Sequence, residues 1–360
     1  MMVRLGDICT VVSGSTPKSA VPEYWDGDVK WITPAELDDE SYIINDSVRH
    51  ITKLGVMKTG LKPFPAGTVI LSSRAPIGKT AIAGCEMYCN QGFKNLICSG
   101  SVDSKYLYFF LSSKTDYLNS LGRGATFKEI SKTIVENIEI PLPEISEQRA
   151  IAALFEKLMK LIQLRKAELE ELDRLVKSRF IELFGDPMTN PKGFPCYTVG
   201  DVIDFQGGSQ PDKKYFEYEP TPDNIRLIQI RDYKSDKYIT YIPRVMAKRF
   251  CTADDIMIGR YGPPIFQILK GIEGSFNVAL MKATPKMGNR EFVRQFLKQD
   301  CLLEYLEGLS KRTAGQDGIQ MDKLKAYPFP YPPIELQEQF AAFVEQTDKS
   351  KLCGEMEVAA

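Results

Sequence analysis

Hydrophobic residues recur at helical and heptad spacing along residues 141–184, a stretch without glycine that holds its prolines only at the start. The repeated apolar positions are Ile151, Leu154, Leu158, Leu161, Leu169, Leu172, Leu175 and Leu183. Pro141 and Pro143 prevent an earlier start, and Ser146 is predicted to cap the first turn. Gly185 ends the pattern. A helix of about 35 residues would be roughly 50 Å long. It is either an amphipathic core helix or a spacer that pairs with a second helix.

The start of this helix recurs near the C-terminus, over Tyr331–Phe343. Aligning Glu147 and Gln148 with Glu338 and Gln339 gives an interval of 191 residues. Further pairs repeat at a similar interval: Leu5–Ile8 with Val199–Val202, Ser13–Pro17 with Gly207–Pro211, Arg74 with Arg260, Asn90 with Asn277, and Gly124 with Gly315. Solenoid repeats are much shorter. The pattern therefore predicts a duplicated domain, each copy followed by a helix.

The second helix is expected to end near Lys351, because the segment from Leu352 onward lacks a heptad pattern and contains Gly354. The far half of the first helix would then lack a partner within the chain. Its exposed residues would be Leu169, Leu172, Leu175 and Leu183, an arrangement that soluble monomers avoid. A partner subunit, a second copy of the chain or a truncated gene would each explain it.

Short β-type runs alternate with turn residues in the first copy. These runs are Thr10–Val12, Val29–Ile32, Thr68–Leu71, Thr80–Ala83 and Asn95–Cys98. A helix with an aromatic face is predicted from Ser104, as its cap, to Leu121. The fold class is thus α+β: two domains, each an irregular, mostly antiparallel β core with helices, separated by long helices. The predicted boundaries are 1–143 and 192–333 for the domains, 144–185 for the first long helix, and 334–360 for the shortened second one.

The amino-acid composition excludes few classes of function. The 360 residues fit two or three domains, and the net charge is −1. Residues 192–330 carry 21 basic and 17 acidic side chains, whereas residues 1–140 carry 15 of each. This balance neither indicates nor excludes nucleic-acid binding. Eight cysteines without a Cys-x-x-Cys pair, together with the single His50, argue against a zinc site and indicate a reducing cytoplasm. No signal peptide or membrane span is evident.

Two segments resemble enzyme motifs incompletely. Ser73–Thr80 is similar to a phosphate-binding loop, but Ser73 replaces the first required glycine. Phe205–Ser209 is similar to the glycine-rich loop of methyltransferases, but its final glycine is absent. The chain is therefore predicted to be non-catalytic by itself.

Polar and basic loops provide candidate DNA contacts. Gly122–Lys128 and Ser310–Gly318 are basic and rich in glycine, so each could lie along phosphates or be an ordinary surface turn. Arginine and glutamine read guanine and adenine in the major groove, and Arg231 and Arg260 each follow an apolar run. More than half of the basic side chains in the second copy are expected to be ordinary surface residues. The full candidate set is Ser15, Thr16, Lys18, Ser73, Arg74, Lys79, Asn90, Arg123, Lys128, Ser209, Gln210, Gln229, Arg231, Arg260, Tyr261, Asn277, Lys311 and Arg312.

Several motifs in combination resemble one family. They are Gly6-Asp7, Ser13–Pro17, Ile140–Pro143, Glu147–Arg149 and Phe180–Asp186, together with their second copies. The chain resembles the specificity (S) subunit of type I restriction-modification systems over its whole length. The resemblance implies that each globular domain is a target-recognition domain for one half of a split site in double-stranded DNA. It also implies that the two long helices form an antiparallel coiled coil. This coiled coil would dock two modification (methyltransferase) subunits, which a restriction (translocase/nuclease) subunit joins.

The resemblance assigns the methyl donor, ATP and Mg²⁺ to the partners, so no cofactor and no metal is expected here. The chain would read a bipartite, asymmetric target for both adenine methylation and restriction. Its helix would set an unread spacing of more than one DNA turn, about 34–36 Å. Two alternatives remain: a truncated or silent subunit that acts only as a coiled-coil assembly module, and a stand-alone enzyme.

Overall fold

The computed structural model describes residues 1–74, 76–124, 128–261, 264–310 and 319–359. The chain divides into two compact units, Met1–Gln163 (unit 1) and Leu164–Ala360 (unit 2). Both units combine helices with short β-sheets, which confirms the mixed α and β composition. Among the described residues, no helix is long and apolar enough to cross a membrane.

The described residues of unit 1 form ten strands. They are β1 (Met2–Arg4), β2 (Cys9–Val12), β3 (Trp25–Ile32), β4 (Ile43–Ile44), β5 (Arg49–Ile51), β6 (Val69–Leu71), β7 (Thr80–Ala83), β8 (Tyr88–Cys89), β9 (Asn95–Cys98) and β10 (Glu139–Pro141). They form a five-stranded sheet (β2-β9-β6-β7-β4), a three-stranded sheet (β5-β3-β8) and the pair β1-β10. Most pairs are antiparallel, while β3–β8 and β4–β7 are parallel. All five predicted strands are confirmed.

The helices that begin in unit 1 are α1 (Leu5–Ile8), α2 (Lys53–Thr59), α3 (Ser104–Ser112), α4 (Thr115–Ser120), α5 (Lys132–Glu136) and α6 (Ile145–Phe184). The single helix predicted from Ser104 to Leu121 is therefore wrong, since α3 and α4 are separate. Ser104 is not the cap: the Asp103 carboxylate accepts hydrogen bonds from the first backbone N–H groups of α3. Leu107 and Leu111 of α3 are fully buried in the core of unit 1.

Unit 2 repeats this plan. Its strands are β11 (Cys196–Thr198), β12 (Ile203–Gly207), β13 (Asn224–Ile228), β14 (Tyr241–Pro243), β15 (Phe250–Cys251), β16 (Ile256–Gly259), β17 (Gln267–Lys270), β18 (Gly274–Phe276), β19 (Leu280–Pro285) and β20 (Pro328–Pro330). Its helices are α7 (Val199–Val202), α8 (Arg290–Leu297), α9 (Asp300–Ser310), α10 (Met321–Ala326) and α11 (Ile334–Ala359). The sheets are β12-β19-β16-β17, β14-β13-β18-β15 and the pair β11-β20.

Strand registers confirm the duplication. Val69 pairs with Leu96 in unit 1, and Ile256 pairs with Ala283 in unit 2, so both partners are shifted by 187 residues. The same interval relates Asn90 to Asn277, as predicted. Each copy also has a glycine in close contact with a neighbouring backbone: a Cβ added to Gly14 would lie 1.8 Å from the Cys89 carbonyl oxygen, and one added to Gly208 would lie 1.9 Å from that of Asn277.

The predicted alignment of Arg74 with Arg260 is wrong by one residue. Ser73 N–H donates to the Gly92 carbonyl, and Arg260 N–H donates to the Ala279 carbonyl, at 2.8 and 2.9 Å. Ser73 therefore occupies the place of Arg260, and Arg74 occupies that of the residue after Arg260. Neighbouring residues on an extended chain face opposite sides, so the two units carry their arginines on different sides of equivalent segments.

A buried glutamine ties each long helix to the unit before it. The Gln148 Oε1 atom accepts from Asp103 N–H at 2.9 Å, and its Nε2 donates to the Pro143 carbonyl at 2.9 Å. In unit 2, Gln337 Oε1 accepts from Asn289 N–H at 2.9 Å, and its Nε2 donates to a proline carbonyl at 2.8 Å. Gln148 thus corresponds to Gln337, and the predicted alignment with Gln339 is wrong by two residues.

Replacement of either glutamine by alanine is expected to lower the free energy of unfolding by about 1–3 kcal/mol, because buried backbone groups lose their partners. Urea denaturation of Gln148→Ala and Gln337→Ala would measure this. Gln339→Ala is a matched control on an exposed position of the same helix and should change stability little. Equal losses for Gln337→Ala and Gln339→Ala would contradict the assignment.

Helix α6 begins one residue earlier than its predicted cap. Glu147 and Gln148 N–H groups both donate to the Glu144 carbonyl, so Ser146 lies inside the first turn and its predicted capping role is wrong. Gly185 ends the helix with φ +75°, as expected. The exposed apolar side chains of α6, each at least 38% accessible, are concentrated in its first half, and Leu175 and Ile181 follow in the second half. Those of the first half are Leu154, Phe155, Leu158, Leu161, Ile162 and Leu164.

The far half of α6 is better covered than predicted. Val176, Phe180 and Phe184 are buried in unit 2, and of the four leucines expected to be exposed only Leu175 is, at 49%. Within unit 2 the Phe340 ring of α11 lies 5.6 Å from the Phe180 ring and 5.3 Å from the Phe184 ring, between centroids.

Helix α11 extends to Ala359, so its predicted end near Lys351 is wrong. One glycine inside a helix costs only about 1 kcal/mol, and the residues after Gly354 include good helix formers such as Glu355 and Met356. Further along α11, Lys351 Nζ lies 2.6 Å from the Asp173 carboxylate of α6. Higher numbers in α11 therefore meet lower numbers in α6, so these parts of the two helices run in opposite directions.

Asp348 joins α11 to neighbouring elements of unit 2. Its carboxylate contacts Lys270 Nζ at 2.9 Å, Arg294 Nη2 at 3.3 Å and Lys351 Nζ at 3.5 Å. Arg294 is 8% exposed at its side chain and also pairs with Glu291 at 2.7 Å. Burial alone would raise the pKa of Asp348, but the Lys270 hydrogen bond and the neighbouring positive charges outweigh burial and lower that pKa.

Asp348→Asn is expected to destabilise unit 2 by about 1–2 kcal/mol at neutral pH, because partly buried cations lose a countercharge. A lowered folded-state pKa stabilises the fold above the unfolded-state pKa of about 3.9, and this contribution is lost as pH falls through the folded-state value. The difference in free energy of unfolding between wild type and Asp348→Asn should therefore be smaller in acid. Urea unfolding at pH 7 and pH 3.5 measures this difference. Glu345→Gln, which removes a surface pair with Lys349, serves as the control. A pH-independent difference would contradict the assignment.

Candidate nucleic-acid interface

Four segments of unit 2 converge around the loop that follows β12. Ser209 N–H donates to the Phe276 carbonyl at 3.1 Å, and Asn277 N–H donates to the Ile228 carbonyl at 3.0 Å. Asn277 Oδ1 accepts from Ala279 N–H at 3.1 Å, which fixes the turn before β19. Main-chain hydrogen bonds thus hold the glycine-serine loop, the asparagine turn, the end of β13 and the segment after β16 together.

Arg260 follows β16 directly and is half-buried. Its Nη1 donates to the Val278 carbonyl at 3.5 Å, and its guanidinium carbon lies 5.3 Å from the Tyr261 ring centroid. Tyr261 itself is 49% exposed. Among the described residues, no carboxylate forms an ion pair with Arg260. Its guanidinium therefore retains donors that can form a bidentate bond with a guanine edge or a phosphate.

Arg231 lies in a short 3-10 helix, Ile230–Tyr233. Its Nη2 donates to the Thr240 hydroxyl at 3.1 Å, and Gln229 Nε2 donates to the same hydroxyl at 3.0 Å. Thr240 is fully buried, whereas Arg231 is exposed. One buried hydroxyl therefore orients two side chains of the kinds that read purines.

The residues beside Arg231 enclose a cavity of about 550 Å³, lined by Tyr218, Arg231, Lys237, Tyr238 and Tyr241 among others. Asp232, next to Arg231, points inward and is buried. Burial raises the pKa of the Asp232 carboxyl, although the Gln229 N–H and Arg226 act in the opposite direction. Arg226 also pairs with Asp236 at 3.0 Å, so Arg226 is less available for a ligand than Arg231.

Unit 1 contains the same backbone arrangement. Ser15 N–H donates to the Cys89 carbonyl at 3.0 Å, and Asn90 Oδ1 accepts from Gly92 N–H at 2.8 Å. The Thr16 hydroxyl donates to Gln91 Oε1 at 2.5 Å. These bonds gather the predicted residues Ser15, Thr16 and Asn90 at the position that corresponds to the Ser209 loop.

Ser73, another predicted DNA contact of unit 1, is not at the surface. It is fully buried, and its hydroxyl accepts from Lys94 Nζ at 3.3 Å. Lys94 also pairs with Glu129 at 3.1 Å. The backbones of Arg74 and Arg123 both bridge to Glu129, which brings these two predicted arginines to one strand-like segment.

The remaining candidates are less informative. Lys79 pairs with Asp39, whereas Lys18, Lys128 and Gln210 are exposed. Asn277 is 8% exposed and serves its own turn. Lys311 and Arg312 lie outside the described residues, as do residues 125–127 of the first basic loop.

Sequence reasoning missed three residues that build these surfaces. Thr240 orients Gln229 and Arg231, and Trp31 Nε1 donates to the Ser15 carbonyl at 3.0 Å. Gln91 is the third. Asn90 could be predicted from the sequence because an asparagine recurs at the equivalent position of unit 2. Thr240, Trp31 and Gln91 show no such recurrence.

The family model for the type I restriction modification DNA specificity domain matches residues 1–174 and again residues 191–353. The chain belongs to this DNA specificity domain family. The two matches agree with the duplication seen in strand register and hydrogen bonding.

Curated relatives of this family are specificity subunits. The chain is 34% identical over 271 residues to the type I restriction enzyme MjaIX specificity subunit of Methanocaldococcus jannaschii, a match that covers 65% of this chain and 63% of that protein. It is 24% identical to the MjaVIII specificity subunit of the same organism, over 96% of this chain and 85% of that protein. The match to the first relative thus spans less than two thirds of that relative's length.

Solved structures of this family share the fold. A chain from a study of assembly and conformational transition of the type I R-M system aligns with a TM-score of 0.59 and 19% identity, covering 100% of this chain and 92% of the other. The S subunit from M. genitalium aligns with a TM-score of 0.53 and 16% identity over the same shares.

Proposed function

We propose that this chain is the non-catalytic specificity subunit of a type I restriction-modification complex, and that it reads a bipartite, asymmetric site in double-stranded DNA for methylation and restriction. The observation that carries the proposal is the duplicated backbone arrangement with different side chains. Asn90 and Asn277 hold equivalent turns, yet Ser73 in unit 1 corresponds to Arg260 in unit 2. Equivalent scaffolds with different side chains suit two different half-sites.

In this proposal residues 1–143 and 192–333 are target-recognition domains, and residues 144–185 and 334–360 are conserved helices in an antiparallel coiled coil. The opposite running directions of α6 and α11 within unit 2 support the coiled coil. The exposed apolar side chains of α6 from Leu154 to Leu164 suit the docking of modification subunits. The methyl donor, ATP and Mg²⁺ would belong to the modification and restriction subunits, in the cytoplasm.

The candidate side chains divide into two groups. Hydroxyls, amides and long cations suit phosphate contacts, and this group comprises Ser15, Thr16, Lys18, Arg74, Lys79, Asn90, Arg123, Lys128, Ser209, Lys311 and Arg312. Base edges would be read by side chains with paired donors or acceptors, namely Gln210, Gln229, Arg231 and Arg260, with Tyr261 beside the last. Ser73 and Asn277 are buried and would act through the backbone.

Methylome sequencing of cells carrying this chain with its modification subunit, compared with a deletion of the chain, tests the proposal. A methylated split motif that disappears on deletion is the expected result, and it would give both half-sites and the spacing between them. An unchanged methylome would overturn the proposal.

Copurification separates the remaining alternatives. Binding of the modification subunit without any effect on the methylome would favour an assembly-only subunit. Methylation or cleavage of DNA by the purified chain alone would indicate an enzyme.

A further inference from the structure

Two cysteines of unit 1 face each other across neighbouring strands. Cys9 pairs with Cys98 in the antiparallel register of β2 and β9. The adjacent pair is hydrogen-bonded, since Ser99 N–H donates to the Ile8 carbonyl at 2.9 Å. Cys9 and Cys98 therefore occupy a non-hydrogen-bonded position, where Cα atoms are about 4.5 Å apart. Disulfides form when Cα atoms are roughly 4.4–6.8 Å apart, so this position allows one.

One of the two facing thiols is accessible. The neighbouring Cys98 thiol, together with burial, raises the pKa of Cys9. Cys9 is buried, whereas Cys98 is half-buried and lines a cavity of about 310 Å³. Arg149 lines the same cavity with its side chain 70% exposed, and it pairs there with the Asp103 carboxylate at 3.6 Å.

In unit 2 the position that corresponds to Cys9 and Cys98 holds no cysteine, so the fold does not require a cysteine pair there. Ile203 and Pro285 form the corresponding pair of β12 and β19. In unit 1, β2 is an edge strand of the five-stranded sheet and is joined to it only through β9 among the described strands. A covalent link at Cys9 would therefore fasten the strand that leads to Ser15 and Thr16.

We propose that Cys9 and Cys98 form a site of covalent thiol modification, at which a low-molecular-weight disulfide such as glutathione disulfide oxidises the pair to a reversible cross-strand disulfide. The Cys98 thiol loses its proton to solvent and attacks one sulfur of the reagent, whose other half leaves as a thiol. The Cys9 thiol then loses its proton and attacks Cys98 Sγ, which releases the second reagent thiol. Two protein thiols are oxidised, and one reagent disulfide is reduced to two thiols.

Peptide mapping by mass spectrometry tests this proposal on the full, reduced chain after incubation with glutathione disulfide and alkylation of the remaining thiols. The expected product is a Cys9–Cys98 crosslink that dithiothreitol removes. Exposed Cys196 should give only a mixed disulfide with glutathione. Absence of the crosslink from oxidised wild type, or a wild-type reaction that stops at Cys98 bound to glutathione, would overturn the proposal.

Two variants define the order of the steps. Cys9→Ile copies the residue of unit 2 and should accumulate the mixed disulfide at Cys98. Cys98→Ser should leave Cys9 unmodified, because Cys9 is buried. Thermal unfolding provides a second measurement: oxidation should raise the Tm of wild type, dithiothreitol should reverse the rise, and Cys9→Ile should show no rise. Modification of Cys9 in Cys98→Ser, or an equal Tm rise in Cys9→Ile, would contradict the proposal.

Discussion

Arg260→Ala is expected to relax base preference at one position of the second half-site and to leave the first half-site unchanged. The guanidinium has no carboxylate partner among the described residues and is only weakly bonded to the Val278 carbonyl, so it can form a bidentate bond with guanine O6 and N7. Loss of such a bond reduces discrimination by about 1–3 kcal/mol, roughly 5- to 150-fold. Methylome sequencing of cells carrying the variant measures the change base by base.

Two controls make this test specific. Arg260→Lys keeps the charge but loses the planar pair of donors, so it should relax the same position. Lys248→Ala removes an exposed cation from unit 2 and should leave the motif intact. If Arg260→Ala weakened methylation uniformly at all sites with no change in the motif, Arg260 would be a phosphate contact instead.

Insertion of seven residues between Gln163 and Leu164 is expected to lengthen the unread spacing and to preserve both half-sites. Seven residues keep the heptad phase and add about 10 Å to α6, equivalent to at most about three base pairs. The side chains of Ile162, Gln163 and Leu164 are exposed, so the insertion disturbs little packing. The motif obtained by methylome sequencing gives the spacing directly.

An insertion of the same length after Gly100 provides the control. An added Cβ at Gly100 would meet no atom within 4 Å, so this loop has room. Its extension should leave the spacing unchanged. If the α6 insertion altered a half-site and left the spacing constant, the assignment of α6 as the spacer would be contradicted.

Features with a long sequence period were predictable. Helix α6 repeats its apolar positions over about forty residues, so its existence and its end at Gly185 followed from the pattern. The duplication could be recognised in the sequence because both copies need a glycine at the same place. A Cβ at Gly14 or Gly208 would collide with the neighbouring backbone. The short polar segments around these two glycines therefore recur.

Features set by long-range pairing were not predictable. Among the described strands, the three-residue strands β1 and β10 pair only with each other, across most of the length of unit 1. Whether Arg74 or Ser73 corresponds to Arg260 depends on a one-residue choice of register that only the strand partners reveal. The shared bond of Gln229 and Arg231 to Thr240 depends likewise on a loop fold that has no local pattern.

The pairing of β1 with β10 also has a consequence for synthesis on the ribosome. Met2–Arg4 emerges about 135 residues ahead of its partner Glu139–Pro141. At 5–20 residues per second, the N-terminal strand waits roughly 7 to 30 s for its place in unit 1. Gln148, which bonds to Asp103 N–H, emerges only after that. Unit 1 should therefore close just as α6 begins to leave the ribosome, before most of unit 2 has been made.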